Sequence, residues 1–218
     1  MQRVFDIIIS LTFLIVLFPI FLLISLILKF TGEGEILYFQ ERVGMNGAKF
    51  RLIKFATMLK NSPNFGAGNL TLKDDPRVLP FGKFLRKTKI NELPQLVNIF
   101  IGDMSIVGPR PMVSDTYQHY SSDAQNKLNL IQPGLTGIGS IIFRDEEKFL
   151  EKASDPAEFY KKIIIPYKSE LESWYVDNKS FNNYIKCIFV TAWVIFFPKS
   201  RLIKIAFKDL PIKPDELQ

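Results

Sequence analysis

Hydrophobic side chains are concentrated in one long run near the N-terminus. Residues 7–28 form a stretch of 22 residues without a charged side chain. A straight helix of that length is about 33 Å long and a bilayer core is about 30 Å thick, so the run predicts a membrane-embedded helix. Pro19 lies near its middle, where a proline kinks or breaks a helix. Two arrangements stay open: a kinked helix that crosses the membrane, or a helix that turns back and leaves both ends on one side.

A shorter apolar block, residues 187–197, lies near the C-terminus and precedes Pro198 and a basic stretch. The block is too short to cross a membrane. Aromatic residues flanked by lysine and arginine are typical of a helix in the headgroup region, and a core helix is the alternative. These patterns divide the chain into three parts: a membrane helix at 1–30, a polar domain at 31–183, and an interfacial helix with a basic tail at 184–218.

The polar middle predicts a mainly helical α+β domain. Short strand-like runs at Ile36–Phe39 and Phe50–Ile53 are separated by a turn with glycine and asparagine. Residues 61–76 are rich in Asn, Gly and Pro and predict a loop. Apolar residues then recur at helical spacing across Ile90–Phe100. Because six lysines and arginines lie within residues 29–60, we expect this domain on the cytoplasmic side of the membrane.

Asn91 and Glu92 stand where the helix after the loop is predicted to begin. Asn91 is a natural N-cap, and Pro94 then falls in the first helical turn. Glu92 lies at the positive end of the helix dipole. A purely structural role therefore explains both residues when they are taken alone.

The basic residues around this point indicate an anionic ligand. Arg86, Lys87 and Lys89 precede Asn91, and Arg110 follows the helix between two prolines that favour extended backbone. A rigid arginine suits bidentate recognition of phosphate. Together with the nearby acidic residues, the pattern favours a phosphorylated substrate bound with a metal ion. A solvated basic face, or one that lies against anionic lipid, is the alternative.

Composition narrows the function classes. Apolar residues make up 47 % of the chain, which rules out a disordered protein. Cys187 is the only cysteine and His119 the only histidine, so a disulfide scaffold is excluded and a zinc site or Cys/His catalytic pair is disfavoured. Nucleic acid is not expected as a partner, because acidic and basic residues interleave and no aromatic stacking platform is evident.

Several long motifs occur in order along residues 1–200: RVFDIIIS with the apolar run, YFQERVGMNGAKFRLIKF, DDPRVLPFGKFLRKTKINELPQLVNIFIGDMSIVGPRP, and IQPGLTGIG. With these motifs the chain resembles the bacterial sugar transferase family, the monotopic phosphoglycosyl transferases. The resemblance implies transfer of a sugar-1-phosphate from a nucleotide sugar, commonly a UDP-sugar, to a polyprenol phosphate such as undecaprenyl phosphate. UMP is released and Mg²⁺ is required. The resemblance also implies a re-entrant helix–break–helix with its break at Pro19.

The same resemblance implies where the reaction takes place. The family begins the assembly of O-antigen, capsule, exopolysaccharide or glycoprotein glycans at the cytoplasmic face of the bacterial inner membrane. Its members contact inner-membrane lipid. Association of this chain into a homodimer is left open.

The family's chemistry, by this resemblance, centres on an adjacent aspartate–glutamate pair. The aspartate attacks the donor β-phosphate and contacts Mg²⁺. Here the pair is Asn91-Glu92, and a carboxamide is a poorer nucleophile and metal ligand than a carboxylate. The resemblance assigns both catalysis and Mg²⁺ binding to Glu92 and Asn91. It assigns substrate binding to five further residues: Lys54, Arg86, Arg110, Pro111 and Arg144.

Three interpretations of Asn91 stay open. In the first, Glu92 replaces the aspartate as nucleophile or metal ligand. In the second, the acceptor phosphate attacks directly. In the third, the chain is an inactive relative that serves as a membrane subunit or scaffold. Smaller departures from the family pattern occur at Phe18, at Ala56 and at Gly139-Ser140. The complete set of basic residues favours an active enzyme.

Overall fold

Helices of very different length surround two small sheets in this fold. The computed structural model describes residues 1–64, 74–151, 153–198 and 200–217, and the predicted mainly helical α+β class is confirmed for them. Residues 65–73 of the loop predicted at 61–76 lie outside the described residues. The helices are α1 (Gln2–Phe30), α2 (Pro80–Lys87), α3 (Gln95–Ile101), α4 (Ser114–Gln118), α5 (Ser122–Leu128), α6 (Ile138–Ile142), α7 (Glu147–Leu150), α8 (Pro156–Phe159), α9 (Ile165–Asp177), α10 (Phe181–Phe196) and α11 (Leu202–Ala206). The strands are β1 (Leu37–Val43), β2 (Lys49–Phe55), β3 (Ser105–Val107) and β4 (Gly134–Thr136).

The N-terminal helix α1 runs from Gln2 to Phe30 with Pro19 inside it, so the predicted break at this residue is not confirmed and stays a prediction. A proline removes one N–H donor, but its fixed φ is compatible with a helix, and the apolar residues on both sides favour helix throughout. Within the described part of the chain, α1 is the helix that is long and apolar enough to cross a membrane. Only 11 % of the most apolar 18-residue stretch of this helix is buried. The re-entrant path stays a prediction.

The first turns of α1 are fastened to the polar domain by two charged side chains. Asp6 is buried, and its Oδ1 accepts hydrogen bonds from the Tyr184 hydroxyl at 2.8 Å and from the Ile106 N–H at 2.9 Å. The Arg3 guanidinium donates to the Ile99 carbonyl at 2.6 Å and to the next carbonyl at 2.8 Å, at the C-terminus of α3. Positive charge at the C-terminal end of a helix is favourable. The apolar helix is therefore an integral part of the domain's packing.

The two predicted strand-like runs lie in β1 and β2, which pair as an antiparallel hairpin. The turn between them contains Asn46 and Gly47, both with positive φ, which explains the glycine- and asparagine-rich sequence at this point. Asn98 of α3 is 1 % exposed and binds the edge of β2. Its Nδ2 donates to the Arg51 carbonyl at 2.8 Å, and its Oδ1 accepts from the Ile53 N–H at 3.0 Å. These two hydrogen bonds hold β2 against α3 at the position just before Lys54.

Asn91 is not the N-cap that the sequence predicts. It lies inside a short 3-10 turn, Ile90–Glu92, while α3 begins at Gln95 after Pro94. The turn is entered through Lys89, which has φ of 60°. Asn91 itself is 5 % exposed. The chain thus reverses sharply between α2 and α3, and the reversal carries Asn91 and Glu92 to the inside of the domain.

The short strands β3 and β4 are parallel and hold residues 108–111, the GPRP segment, in place. A Cβ on Gly134 would lie 2.0 Å from the Gly108 backbone nitrogen, so this contact requires a glycine. The Gly108 N–H donates to the Thr136 carbonyl at 2.9 Å, and the Gly134 N–H donates to the Pro109 carbonyl at 2.8 Å. Backbone packed this closely fixes the position of Arg110 within the segment.

Helices α9 and α10 complete the core. The buried face of α10 includes Tyr184, Cys187, Val190 and Val194, so Cys187 is buried as expected of a structural cysteine. The opposite face exposes large apolar side chains: Ile185, Phe189, Trp193 and Phe196. The helix is therefore both a core helix and the carrier of an exposed apolar stripe, and its placement in a membrane interface stays a prediction. The proposed boundary between 183 and 184 falls inside α10.

Candidate active site

All the predicted site residues line one cavity of about 880 Å³. Its walls come from the β1–β2 hairpin, the turn at Ile90–Glu92, the GPRP segment, α6, α9 and α10. The predicted residues along it are Lys54, Arg86, Asn91, Glu92, Arg110, Pro111 and Arg144. Residues from separate motifs therefore meet at a single site, and their roles stay predictions.

Glu92 is the centre of the charged part of the cavity. Its Oε1 lies 3.0 Å from Arg110 Nη2 and 3.5 Å from Lys54 Nζ. Burial alone would raise the pKa of Glu92, but the charges of Arg110, Lys54 and Lys89 outweigh it and hold that pKa well below its ordinary range. The carboxylate is therefore ionised at neutral pH and faces two cations from different elements.

Of these two cations, Lys54 is the one whose charge changes near neutral pH. Burial lowers its pKa to about 7, although the charge of Glu92 acts in the opposite direction. The side chain of Lys54 is 16 % exposed, while that of Arg110 is 42 % exposed. The charge of Glu92 raises the pKa of Arg110, which stays a cation at every pH of interest. The positive charge of the cavity thus depends on pH mainly through Lys54.

Asn91 and Glu92 supply the oxygen atoms that could hold a divalent cation. Asn91 Oδ1 is buried and has no hydrogen-bond partner among the described residues. Those residues contain no cluster of three or more His, Cys, Asp or Glu side chains of the kind that cages a metal by itself. Mg²⁺ usually binds through one or two protein oxygens together with water and substrate phosphates. One carboxylate beside one unpaired carboxamide oxygen fits that mode.

Arg86 and Arg144 line the cavity without carboxylate partners in the described part of the chain. Arg86 Nη1 lies 3.7 Å from Met58 Sδ, and the Arg144 guanidinium donates to the Val194 carbonyl. Pro111 accepts through its carbonyl a hydrogen bond of 3.0 Å from Arg42 Nη1. Pro111 therefore acts in the structure as the anchor of a further arginine.

Sequence reasoning missed that arginine, Arg42 of β1, although it stands in the quoted motif YFQERVGMNG. Burial and the charge of Arg110 lower the pKa of Arg42 to about 10. Two carboxylates, Glu146 and Glu172, and one amine, Lys168, were also missed. Glu172 stands between buried residues of α9, and a charged residue on such a helical stripe is the signal that could have identified it.

Glu172 contacts the backbone of Arg110, whereas Glu92 contacts the guanidinium of the same residue. Glu172 Oε1 accepts a hydrogen bond of 3.2 Å from the Arg110 backbone N–H, and its Oε2 has no partner among the described residues. Burial raises the pKa of Glu172 to about 7. Nearby, Lys168 Nζ donates to Glu146 Oε2 at 2.7 Å. The cavity thus has a cationic end around Glu92 and a carboxylate-rich end around Glu172.

Comparison with known proteins relates this site to a family. The family model described as bacterial sugar transferase matches residues 1–198. The exopolysaccharide production protein ExoY of Sinorhizobium fredii is 40 % identical over 167 residues, which cover 70 % of this chain and 74 % of ExoY.

Two longer relatives carry more explicit names. The undecaprenyl-phosphate galactose phosphotransferase of Salmonella typhimurium is 35 % identical over 210 residues, 89 % of this chain and 40 % of that protein. The UDP-glucose:undecaprenyl-phosphate glucose-1-phosphate transferase of Klebsiella pneumoniae is 34 % identical over 202 residues, 91 % of this chain and 41 % of that protein. This chain spans less than half the length of these two. Since the family match covers α1 and every predicted residue of the candidate site, the chain belongs to the bacterial sugar transferase family.

Proposed function

We propose that this chain transfers a sugar-1-phosphate from a UDP-sugar to a polyprenol phosphate and releases UMP. The observation that carries the proposal is the convergence of Glu92, Arg110 and Lys54 in one cavity. One wall of that cavity is α10, whose Ile195 lines the cavity and is 52 % exposed. A polar centre beside an exposed apolar surface suits a donor from water and an acceptor from lipid.

The cations of the cavity would bind the donor diphosphate. Arg110 and Lys54 lie at Glu92, while Arg86 and Arg144 form no ion pair with a carboxylate in the described residues. These two arginines are therefore able to bind phosphate without first losing a charged partner. Guanidinium groups recognise phosphate oxygens bidentately, and their charge offsets the charge that develops during transfer.

The transfer itself exchanges one phosphorus–oxygen bond for another. An oxygen of Glu92, or of the acceptor phosphate directly, attacks the β-phosphorus, and the bond from that phosphorus to the bridging oxygen breaks as UMP leaves. In the two-step route, an acceptor oxygen then attacks the same phosphorus and frees the Glu92 carboxylate. Arg110 and Lys54 stabilise the added charge in both routes.

Glu92 and Asn91 Oδ1 would hold Mg²⁺ together with oxygens of the donor phosphates. When bound, Mg²⁺ neutralises charge on the phosphates and on the departing UMP. The unpaired Asn91 oxygen supports this assignment. Asn91 is then a ligand whose carboxamide replaces a carboxylate.

The same proposal places α1 in the bacterial inner membrane as a re-entrant helix, with the polar domain at the cytoplasmic face and α10 against inner-membrane lipid. The six basic residues within 29–60 support this orientation. We also propose that two copies associate into a homodimer, which the molecular mass of the detergent-solubilised protein tests.

The decisive experiment measures UMP release by the purified chain with polyprenol phosphate, Mg²⁺ and a panel of UDP-sugars. We expect release that requires both the acceptor and Mg²⁺. No release with any donor of the panel would overturn the proposal.

Glu92→Gln tests the central residue in the same assay. We expect UMP release to fall about 10²–10³-fold, because the variant loses the charged group at the reacting centre. Glu170→Gln is the matched control, since Glu170 is an exposed glutamate of α9 outside the cavity and should retain full activity. Mass spectrometry for a phosphosugar adduct on Glu92 separates the two-step route from direct attack.

A further inference from the structure

Residues 179–208 form a cationic segment whose sequence contains no acidic residue. Its six basic residues are Lys179, Lys186, Lys199, Arg201, Lys204 and Lys208. The whole chain has 22 acidic and 28 basic residues, so a run of 30 residues without an acidic one is a local feature. The segment contains α10 and α11, and its part after residue 198 lies beyond the family match. The family match therefore says nothing about α11.

Helix α11 presents basic and apolar side chains on one side. Arg201 immediately precedes the helix, and Lys204 and Ile205 follow it by three and four residues, a spacing that brings side chains together on a helix surface. All three residues are exposed, and the exposed fraction of Ile205 is 68 %. Lys208 stands two residues after the helix and is exposed as well. An isoleucine turned outward among cations is typical of a helix at a membrane surface.

Contacts at both ends hold α11 beside the exposed apolar stripe of α10. Trp193 of that stripe donates from Nε1 to Ser200 Oγ at 3.0 Å, and the same Oγ accepts from the Leu202 N–H at 3.1 Å. After the helix, Phe207 is 3 % exposed and packs edge-on against Trp174. Because both ends of α11 are fixed to the domain, its outward side is a defined surface of the fold.

The chemistry of this surface selects its partner. Large apolar side chains on the outside of a folded protein mark an interaction site, and cations beside them match the boundary between acyl chains and headgroups. A bilayer of neutral lipid would satisfy only the apolar groups, whereas anionic headgroups satisfy the cations as well. Each lysine or arginine close to an anionic surface strengthens the attraction about fivefold. The partner that fits both parts of the surface is therefore an anionic lipid bilayer.

We propose that α11 and the exposed apolar stripe of α10 form a docking surface for anionic phospholipid, and that Arg201, Lys204 and Lys208 bind its headgroups. This inference rests on the membrane placement of α1 in the proposed function, and it adds α11 and the charge of the lipid. Ile195 of α10 lines the cavity and is 52 % exposed, so the docking surface borders the cavity wall. Docking on anionic lipid holds that wall at the level of the headgroups.

A fluorescent label on Ile205→Cys tests the surface in the full chain reconstituted into nanodiscs. Cys187 is 0 % exposed, so the dye NBD should react with the introduced cysteine, and wild-type protein treated with NBD measures the background. The discs contain phosphatidylcholine alone or mixed with phosphatidylglycerol, each with a trace of acyl-chain nitroxide lipid as quencher. We expect quenching about threefold stronger with phosphatidylglycerol, and a smaller difference at high salt, which screens the charges.

Neutralising the three cations should remove this preference. In the labelled chain, the combination of Arg201→Gln, Lys204→Gln and Lys208→Gln should bring quenching with phosphatidylglycerol to within about 1.5-fold of the value in phosphatidylcholine. A matched control removes the same charge from exposed lysines of other elements and should keep the preference. Its substitutions are Lys49→Gln, Lys161→Gln and Lys162→Gln.

A second label, on Ile15→Cys in α1, separates this inference from the proposed membrane placement. Ile15 is 66 % exposed within the apolar run, so its label should be quenched in both lipids. Without quenching at this position, the membrane placement is overturned and the docking surface with it. If the Ile15 label is quenched, equal quenching of the Ile205 label in both lipids, or an equal loss in the matched control, overturns the anionic surface alone. Shielding of the Ile205 label that grows with the number of chains per disc would instead assign the surface to a second copy.

Discussion

Glu92 and Glu172 contact different parts of Arg110 and show how one arginine serves two carboxyl groups. Glu92 meets the guanidinium at 3.0 Å with Lys54 at 3.5 Å, and these cations hold its pKa well below the ordinary range. Glu172 meets only the backbone N–H, at 3.2 Å, and burial raises its pKa to about 7. The same functional group is thus a permanent anion on one side and a titrating group on the other.

The difference follows from which part of Arg110 each carboxyl group contacts. A guanidinium supplies a full charge that outweighs the cost of burial, whereas one N–H dipole does not. Pairs of carboxyl groups whose environments separate their pKa values often divide roles within one site. Here the anion lies among the cations of the proposed phosphate site, and the titrating group contacts only the backbone N–H of Arg110.

Removing the Arg110 guanidinium should have the largest effect on this comparison. We expect Arg110→Met to lower UMP release about 10²–10³-fold, because it removes a phosphate ligand and leaves Glu92 with only Lys54. Arg110→Lys keeps the charge but loses the planar fork, so it should recover only part of the rate. Activity of Arg110→Met near the wild-type level would show that the guanidinium is not part of the reacting centre.

Neutralising Glu172 should remove the contribution of this side chain to the pH dependence of the free energy of unfolding. The unfolded carboxyl loses its proton near pH 4.5, whereas the folded one keeps it until about pH 7, so the free energy of unfolding falls as pH rises between these values. We expect the free energy of unfolding of Glu172→Gln to be close to that of the wild type at pH 5. At pH 8 it should be higher than that of the wild type by on the order of 3 kcal/mol at most. Thermal unfolding in detergent at both pH values measures this, and an identical pH dependence in the two proteins would contradict it.

Adding one methyl group beside Glu172 should disturb the pair of contacts around Arg110. A Cβ on Gly139 would lie 2.3 Å from Glu172 Oε1, the atom that accepts from the Arg110 N–H. We expect Gly139→Ala to destabilise the fold by about 1–3 kcal/mol, because a close-packed site resists the extra volume. Combining it with Glu172→Ala should restore much of this loss, and a double variant with fully additive losses would argue against the contact.

The smallest effect expected is the pH dependence of donor binding through Lys54. With a pKa of about 7, Lys54 loses its charge as pH rises through neutrality, so affinity for a UDP-hexose should fall about three- to tenfold from pH 6 to 8.5. The Glu172→Gln background removes the other carboxyl that titrates near pH 7. In that background, Lys54→Gln should bind more weakly with no such step. A step of the same size in both proteins would assign the titration elsewhere.

The sequence predicts local features of this molecule well and the second half of the site poorly. The β1–β2 hairpin follows from its turn residues, and the cations that surround Glu92 stand in long motifs. The interpretation of Asn91 as an N-cap fails because Lys89 adopts positive φ and inserts a 3-10 turn before α3. The break at Pro19 stays a prediction, because the helix assignment runs through this residue.

The carboxylate-rich end was beyond prediction for a physical reason. Glu172 and Arg110 are 62 positions apart, and their contact depends on how α9 packs against the GPRP segment. Nothing in the local pattern around either residue specifies that packing. A buried charged residue on a helix marks an exception, but only the folded chain shows its partner.

The hydrogen bonds of Asp6 have a mechanical consequence. They join α1 to β3 and α10, the elements beside the GPRP segment and the cavity wall. Under the proposed placement of α1 in the bilayer, a movement of the helix along the membrane normal would also move those elements. The depth of α1 would then fix the height of Glu92 relative to the lipid surface, and with it the height at which the proposed acceptor phosphate has to lie.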